Sequence, residues 1–134
     1  MLIDGKCHCG RISYSAEIDP ATAGLCHCTD CQTMSGSAFR VIVPAPAESF
    51  RLLSGELKTY VKTAESGRRR VQAFCGDCGT PIYSAAEKDT PAFSLRVGAI
   101  RQRAQLQPSK QTWFRSAAPW VTHLRDIQQI ATGS

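Results

Sequence analysis

The chain has 134 residues, of which 43% are hydrophobic, 20% are charged and seven are cysteine. This length fits a single compact domain over residues 1–134 and leaves no room for a second core. The formal net charge of +5 is mildly basic, but the basic residues are dispersed apart from Arg68–Arg70. The pattern therefore argues against an extended nucleic-acid groove of interleaved basic and aromatic residues.

The first residues and the hydropathy pattern bear on location. The start, Met1–Lys6, lacks the charged and apolar regions of a signal peptide. No uninterrupted apolar run approaches the ~20 residues that a membrane-spanning helix needs. We therefore expect no membrane partner and a cytoplasmic location, where reducing conditions keep thiols free or bound to metal.

Short β-strands are predicted along most of the chain. Ile12, Tyr14 and Ala16 alternate with polar residues, which is typical of a half-buried strand. An apolar run over residues 38–43 is followed by Pro44-Ala45-Pro46, where the missing amide hydrogens disfavour a central strand. Further strands are predicted over residues 50–53, 57–61, 70–74, 81–85 and 92–100. The last is the longest, with Phe93, Leu95, Val97 and Ala99 on one face.

Helical signals are few. One turn is predicted after Cys28, from Asp30 to Ser35. A short terminal helix is predicted where Leu124, Ile127 and Ile130 could share one face. Many short strands with little helix predict a mainly β domain.

The cysteines form tight clusters, which predicts metal binding. They lie in Cys7-His8-Cys9-Gly10, in Cys26-His27-Cys28 with its continuation to Cys31, and in Cys75-Gly76-Asp77-Cys78-Gly79. A C-x-C or C-x-x-C pair in a tight turn aims two thiolates at one metal, and a following glycine supplies the backbone freedom. Zinc prefers four tetrahedral ligands, so two such pairs complete a closed structural site.

Seven thiols divide into four and three. Cys26, Cys28 and Cys31 could reach one metal from a single loop, and three ligands leave a fourth position free, as in catalytic zinc sites. A distant fourth ligand such as His123 could instead close this site, and the spacing leaves both possibilities. His8 and His27 lie between paired cysteines, so their side chains are expected to point away from the metal.

Three other interpretations of the cysteines are disfavoured. A thioredoxin-type site at Cys75 and Cys78 needs a βαβ context that the strand pattern does not provide. Zinc nucleobase deaminases need an H-x-E or C-x-E element beside their cysteines, and the sequence has none there. Disulfides are disfavoured by the odd number of cysteines, their close spacing and the expected reducing location.

The motifs resemble those of the glutathione-dependent formaldehyde-activating enzymes, the CENP-V/GFA family with the Mss4-like fold. The resemblance extends over almost the whole chain. It is carried by Gly5-Lys6-Cys7-His8-Cys9-Gly10, Cys26-His27-Cys28-Thr29-Asp30-Cys31, Phe74-Cys75-Gly76-Asp77-Cys78-Gly79-Thr80-Pro81-Ile82-Tyr83, Val97-Gly98-Ala99-Ile100 and Ser116-Ala117-Ala118-Pro119-Trp120.

This resemblance implies several twisted antiparallel β-sheets and two zinc ions per chain. Cys7, Cys9, Cys75 and Cys78 would hold the structural zinc. Cys26, Cys28 and Cys31 would hold the catalytic zinc. The activity that names the family joins formaldehyde to glutathione, giving S-hydroxymethylglutathione, and is classed as a carbon–sulfur lyase.

The same resemblance suggests groups that could contact a substrate. Phe39, Trp113 or Trp120 could form an apolar wall, and Arg68–Arg70, Lys110 or Arg115 could meet carboxylates. Gln111 stands where many family members have a His-Ile pair, and the chain is shorter than the glutathione-using enzyme. The expected partner is therefore a small thiol or aldehyde adduct, with glutathione as one candidate.

Two functions remain in view at this point. The first is a zinc-dependent carbon–sulfur lyase-like enzyme acting on the thiol adduct of a small aldehyde. The second is a non-catalytic zinc module that recognises a protein or nucleic-acid partner.

Overall fold

The computed structural model, which describes residues 1–133, contains ten β-strands in two sheets. In chain order they are β1 (Leu2–Lys6), β2 (Ser13–Glu17), β3 (Gly24–Cys26), β4 (Arg40–Pro46), β5 (Arg51–Ser54), β6 (Leu57–Thr63), β7 (Arg69–Cys75), β8 (Pro81–Ala86), β9 (Ala92–Arg96) and β10 (Lys110–Thr112). Within these residues one α-helix, α1, spans Thr29–Ser35, and the other helical segments are short 3-10 turns. The prediction of a mainly β fold is confirmed, as is the helical turn after Cys28.

The two sheets differ in size. The small sheet has the order β1-β2-β5, and the large sheet has the order β10-β3-β4-β9-β8-β7-β6. All pairings are antiparallel except that of β10 with β3, which is parallel and places Thr112 beside Cys26. Strands β1, β3 and β10 were not among the predicted elements. None of the helices over residues 1–133 has the length and hydrophobicity of a membrane span.

Aromatic rings join the two sheets in the core. The ring of Tyr14, on β2, stacks on Phe50 at a centroid distance of 5.2 Å. Phe50 in turn contacts Tyr83 and Phe93 of the large sheet at 5.3 and 5.1 Å, and those two rings stack at 4.2 Å. Fully burying a large apolar side chain contributes about 1.5–3 kcal/mol, and of these four residues Tyr14 is fully buried while the other three are partly buried. This packing covers one face of the large sheet and leaves the opposite face for other contacts.

Because side chains alternate along a strand, the opposite face of the large sheet carries a different set of residues. Ile42 lies opposite Arg96, and Ser84 lies opposite both Ser94 and Gln72. On the outer strands Arg70 pairs with Lys62. We call this side of the large sheet the polar face; it comprises Lys62, Arg70, Gln72, Ser84, Ser94 and Arg96.

The predicted strand over residues 92–100 is too long. Strand β9 ends at Arg96, and Val97–Ala99 forms a 3-10 turn closed by a 2.9 Å hydrogen bond from Ile100 N to Val97 O. Beyond the turn, Ile100 forms a bridge with Gly5 of the small sheet. The strand stops because the chain must cross from one sheet to the other at this point.

The prediction that Pro44 and Pro46 end a strand is wrong. Strand β4 runs through both prolines, which pair with Ser94 and Ala92 of β9. The pairing of β4 with β3 ends at Ile42, so this part of β4 has a partner strand on the β9 side only. A proline at such a position removes no hydrogen bond from a second ladder.

The predicted terminal α-helix is also wrong. Residues Val121–Asp126 form 3-10 turns, and Ile127 already has extended dihedral angles. Leu124, Ile127 and Ile130 are 47, 52 and 73% exposed, so they do not share a buried face. An apolar stripe without a surface to pack against does not stabilise a helix of this length.

Candidate metal centres

The sulfur atoms of Cys7, Cys9, Cys75 and Cys78 come together where β1 and β7 end. All four lie within 4.8 Å of one another. The Sγ atoms of Cys7 and Cys9 are 3.5 Å apart, and those of Cys9 and Cys75 are 3.8 Å apart. Four thiols at one point are the ligand set of a structural zinc site. We call this group the four-cysteine cluster.

The two turns that carry these cysteines are built alike. Gly10 N donates to Cys7 O at 3.1 Å, and Gly79 N donates to Cys75 O at 2.8 Å. Gly10 and Gly79 have φ angles of 85° and 80°, which residues with side chains rarely adopt. The glycine after each cysteine pair therefore allows the chain to turn and point both sulfurs inward, as the sequence predicts.

Further contacts bind one turn to the other. The backbone N–H of His8 donates to Thr80 Oγ1 at 3.0 Å, and the same oxygen lies 3.2 Å from Cys78 Sγ. Cys7 and Cys75 are each only 1% exposed. Cys9 and Cys78 are exposed, so the cluster connects the small sheet to the large sheet through two buried and two exposed thiols. His8 is exposed and is not one of the grouped ligands, in agreement with the prediction that it points away.

A second group consists of Cys26, Cys28 and Cys31, whose sulfurs also lie within 4.8 Å of one another. Cys26 ends β3, Cys28 precedes the first residue of α1, and Cys31 lies in its first turn. The N–H of Cys31 donates to Cys28 Sγ at 3.3 Å. We call this group the three-cysteine cluster. Its members are half-buried, so solvent and small molecules can reach it.

The loop that carries these thiols is held by its backbone. His27 N donates to Thr112 O at 3.1 Å, which continues the pairing of β3 with β10. The side-chain amide of Gln32 donates to His27 O at 2.7 Å and to Ser116 O at 3.0 Å. The three sulfurs are therefore positioned by contacts that do not depend on a metal.

The side chain of His27 lies in a different environment. It is fully buried, with its ring 5.5 Å from the ring of Phe39 and 5.4 Å from that of Phe114. Its Nε2 lies 2.8 Å from Gln111 Oε1, and Nδ1 has no hydrogen-bond partner. His27 therefore points away from the sulfurs, as predicted. Phe39 contacts this histidine.

His123 was considered above as a fourth ligand for the three-cysteine cluster. His123 is not grouped with the three-cysteine cluster; its Nδ1 lies 3.8 Å from Asp126 Oδ2 at the surface. Within residues 1–133 no histidine, cysteine, aspartate or glutamate joins the three thiols within 4.8 Å. A metal held here would have three protein ligands and one position for another molecule.

The proximity of the thiols favours a cation at each cluster. A hydrogen bond from the Cys31 thiol lowers the pKa of Cys26 to about 4, and the same contact raises the pKa of Cys31. Negative charge on one sulfur thus opposes ionisation of the next. A divalent cation removes this opposition because it stabilises all the thiolates at once. The residues present therefore fit zinc at both clusters.

A cleft of about 400 Å³ opens beside the three-cysteine cluster. Besides the three cysteines and polar-face residues, its lining includes Met34, Ile42, Arg68, Thr112 and Trp113, and no aspartate or glutamate among residues 1–133. Arg68, Arg70 and Trp113 were expected near a substrate and do lie here. Lys110, Trp120, Phe39 and Arg69 were also expected near a substrate but do not line the cleft.

Arg115 was expected to meet a substrate carboxylate, and it lies next to a residue of the cleft wall. Arg115 lies 4.8 Å above the ring of Trp113 and 3.9 Å from Glu65, so it supports the cleft wall from outside.

Arg96, Gln72 and Lys62 line the cleft but were not predicted. Alternation along the strand could have indicated Arg96, because it shares a side of β9 with Ser94, opposite Phe93 and Leu95. Lys62 and Gln72 show no such clean pattern, since each shares its side of the strand with an aromatic residue.

Comparison with known proteins agrees with this arrangement. The model of the family described as "Glutathione-dependent formaldehyde-activating enzyme" matches residues 2–116. A protein of Penicillium rubens that is provisionally named a glutathione-dependent formaldehyde-activating enzyme is 28% identical over 130 residues, covering 93% of this chain and 67% of the relative. The crystal structure of a Rhodobacter sphaeroides protein has the same fold, with a TM-score of 0.63 and 20% identity over 81% of this chain and 99% of that one.

Proposed function

Because the chain belongs to the family of glutathione-dependent formaldehyde-activating enzymes, we propose that it is a zinc-dependent enzyme of the carbon–sulfur lyase type. Its substrates would be a small thiol and a small aldehyde, with glutathione and formaldehyde as the first pair to test. The four-cysteine cluster would hold a structural zinc, and the three-cysteine cluster a catalytic one.

One observation carries this proposal. No fourth ligand for the three-cysteine cluster comes from residues 1–133, and the cluster faces a cleft rather than the core. A structural site alone would need neither feature, because structural zinc is normally enclosed by four ligands. The four-cysteine cluster of the same chain has the four thiols that a structural zinc site needs.

The proposed reaction balances without an oxidant or reductant. The thiol sulfur forms a bond to the aldehyde carbon, the carbonyl π bond becomes a C–O single bond, and the thiol proton ends on the oxygen. Zinc bound by Cys26, Cys28 and Cys31 would supply Lewis-acid chemistry, lowering the pKa of a thiol and polarising a carbonyl. The reverse reaction breaks the same carbon–sulfur bond.

The residues of the cleft contribute electrostatics and shape. Arg68, Arg70 and Arg96 surround it with positive charge, which favours the thiolate over the thiol. Met34 and Trp113 provide apolar surface at the same site and reduce the access of water to the reacting atoms.

Exchange NMR with formaldehyde and glutathione tests this function. Zinc-loaded protein should increase the rate of exchange between the free thiol and its hydroxymethyl adduct. Cys28→Ser removes one thiolate of the three-cysteine cluster and should abolish that increase. His8→Ser, an exposed change beside the other cluster, is the matched control and should retain it. Zinc-loaded protein that causes no acceleration would contradict the proposal.

A second candidate function has one observation in its favour. Trp113, Phe114, Trp120, Ile127 and Ile130 all lie in the last part of the chain and are 43 to 73% exposed. These residues are near one another in the sequence, and exposed apolar groups that form a contiguous patch are typical of protein-binding surfaces. A non-catalytic zinc module that binds a protein partner would keep this surface and show no rate effect in the exchange experiment.

A further inference from the structure

The exposed arginines of residues 1–133 include several that form ion pairs with carboxylates, whereas the buried ones form none. Four surface arginines have acidic partners: Arg11 with Asp77, Arg69 with Glu87, Arg101 with Asp4 and Arg115 with Glu65. In contrast, Arg40 and Arg96 are only 5 and 8% exposed. Neither of these buried arginines forms an ion pair with a carboxylate of residues 1–133.

This distribution is the reverse of what burial alone favours. A buried charge is destabilising unless it is paired and hydrogen-bonded, whereas an exposed charge is solvated by water. Arg96 donates from Nη2 to the neutral Gln72 Oε1 at 2.9 Å, and its buried Nε has no partner. Arg70, half-buried, donates to the hydroxyl of Ser84 at 3.3 Å. Both guanidinium groups therefore have neutral protein partners only.

These unpaired charges lie at the proposed reaction site. Arg68, Arg70 and Arg96 line the cleft beside the three-cysteine cluster, and Lys62 at its edge is already paired with Asp30 at 2.9 Å. Three thiolates with Zn²⁺ would leave one net negative charge. That charge is too small to balance three guanidinium groups, so the cleft keeps an excess of positive charge.

We propose that Arg70 and Arg96 form an anion subsite that binds a carboxylate of the thiol substrate, so that the site selects acidic thiols over neutral ones. This inference rests on the proposed function. Guanidinium groups bind carboxylates through paired, charge-assisted hydrogen bonds, which makes them selective for this group. Arg70 and Arg96 both line the cleft, and the only hydrogen bonds from their guanidinium groups among residues 1–133 go to the neutral Ser84 and Gln72.

Two properties of the site agree with this assignment. Burial and the neighbouring charge of Arg40 lower the pKa of Arg96, so a bound carboxylate would relieve an existing repulsion. The cleft volume of about 400 Å³ lies within the range for small-molecule sites. A short acidic thiol can therefore place its sulfur at the metal and its carboxylate at the arginines.

The test compares glutathione with its dimethyl ester, which has the same thiol but no free carboxylate. With zinc-loaded protein and formaldehyde, we expect KM for glutathione to be about tenfold lower than KM for the ester. Arg70→Gln and Arg96→Gln should raise KM for glutathione about tenfold and leave KM for the ester unchanged. Arg51→Gln removes an exposed arginine of the small sheet and should change neither value.

Folding defects are separated from binding defects by two further variants. Arg70 is only half-buried, so Arg70→Gln should fold even where Arg96→Gln does not. Arg96→Lys keeps the charge but loses the paired donors, and it should give an intermediate KM for glutathione. Equal KM values for glutathione and the ester in the wild type, or an unchanged ratio in Arg70→Gln, would overturn the proposal.

Two more experiments complete the test. The first shows whether the bound carboxylate belongs to the thiol or to the aldehyde, and the second tests the subsite even if the protein has no activity. If arginine-dependent turnover occurs only when glyoxylate replaces formaldehyde, the carboxylate belongs to the aldehyde and the proposal is wrong. If no thiol reacts, the proposed function is wrong. In that case calorimetry with S-methylglutathione measures whether the two arginines bind an acidic ligand. The subsite stands if Arg70→Gln weakens that binding about tenfold, and falls if it does not.

Discussion

Gln111 Oε1 lies 2.8 Å from Nε2 of the buried His27. This contact joins β10 to the loop between Cys26 and Cys28, whose backbone is also held by Thr112. The ring of His27 fills the space between Phe39 and Phe114 behind the three-cysteine cluster. Gln111 thus supports the cluster from outside the cleft, through the histidine.

Gln111→Ala should destabilise the fold. The change removes the one hydrogen-bond partner of a fully buried imidazole, whose Nδ1 already has none. Leaving such a group unsatisfied costs about 1–3 kcal/mol. Gln107→Ala, an exposed change in the same part of the chain, is the control and should stay within ~0.5 kcal/mol. Urea unfolding measures both, and equal effects would show that the contact does not support the loop.

Gly5→Ala should destabilise the packing between the sheets. A methyl group at Gly5 would collide with the Tyr14 ring and with the carbonyl oxygen of Ala99. Overpacking of this kind typically costs about 1–3 kcal/mol. Gly98→Ala is matched in chemistry, and its added carbon meets no atom within 4 Å. Thermal unfolding should show a lower Tm for Gly5→Ala alone; a similar loss in both variants would argue against this cause.

Chelation should remove the two proposed zinc ions at different rates. Cys26, Cys28 and Cys31 are half-buried and leave one position accessible, whereas two of the four thiols in the other cluster are 1% exposed. We expect a fast and a slow phase of zinc release into a chromogenic chelator. Unfolding should accompany only the slow phase, because that metal joins the two sheets. Release in one phase, together with unfolding, would contradict the distinction between the clusters.

Much of the grouping of the cysteines could be predicted from local sequence. A pair of cysteines within a turn is brought together by the turn itself, so the spacing of Cys7 with Cys9 and of Cys75 with Cys78 was informative. The helical turn after Cys28 followed from the same local signals. The absence of His123 from the three-cysteine cluster was not predictable, because it depends on how the last residues fold back over the domain.

Two of the three strands that the sequence did not reveal share a physical reason. Strands β3 and β10 have three residues each and pair across more than eighty positions, so neither shows a period of its own. Of the two arginines in the proposed subsite, Arg70 was expected near a substrate, whereas Arg96 was missed for a different reason. Arg96 lies between the buried Leu95 and Val97, and the apolar face of that segment dominated its interpretation. The opposite face of β9, which carries Ser94 and Arg96, lines the cleft.

Zinc content per chain tests the central claim most directly, that the chain holds two metal sites of unequal character. Anaerobically prepared wild type should contain two zinc ions per chain by native mass spectrometry. Cys31→Ser should contain one and keep the unfolding transition of the wild type, whereas Cys75→Ser should lose the structural zinc and unfold at a lower temperature. One zinc ion in the wild type, or two in Cys31→Ser, would contradict the account.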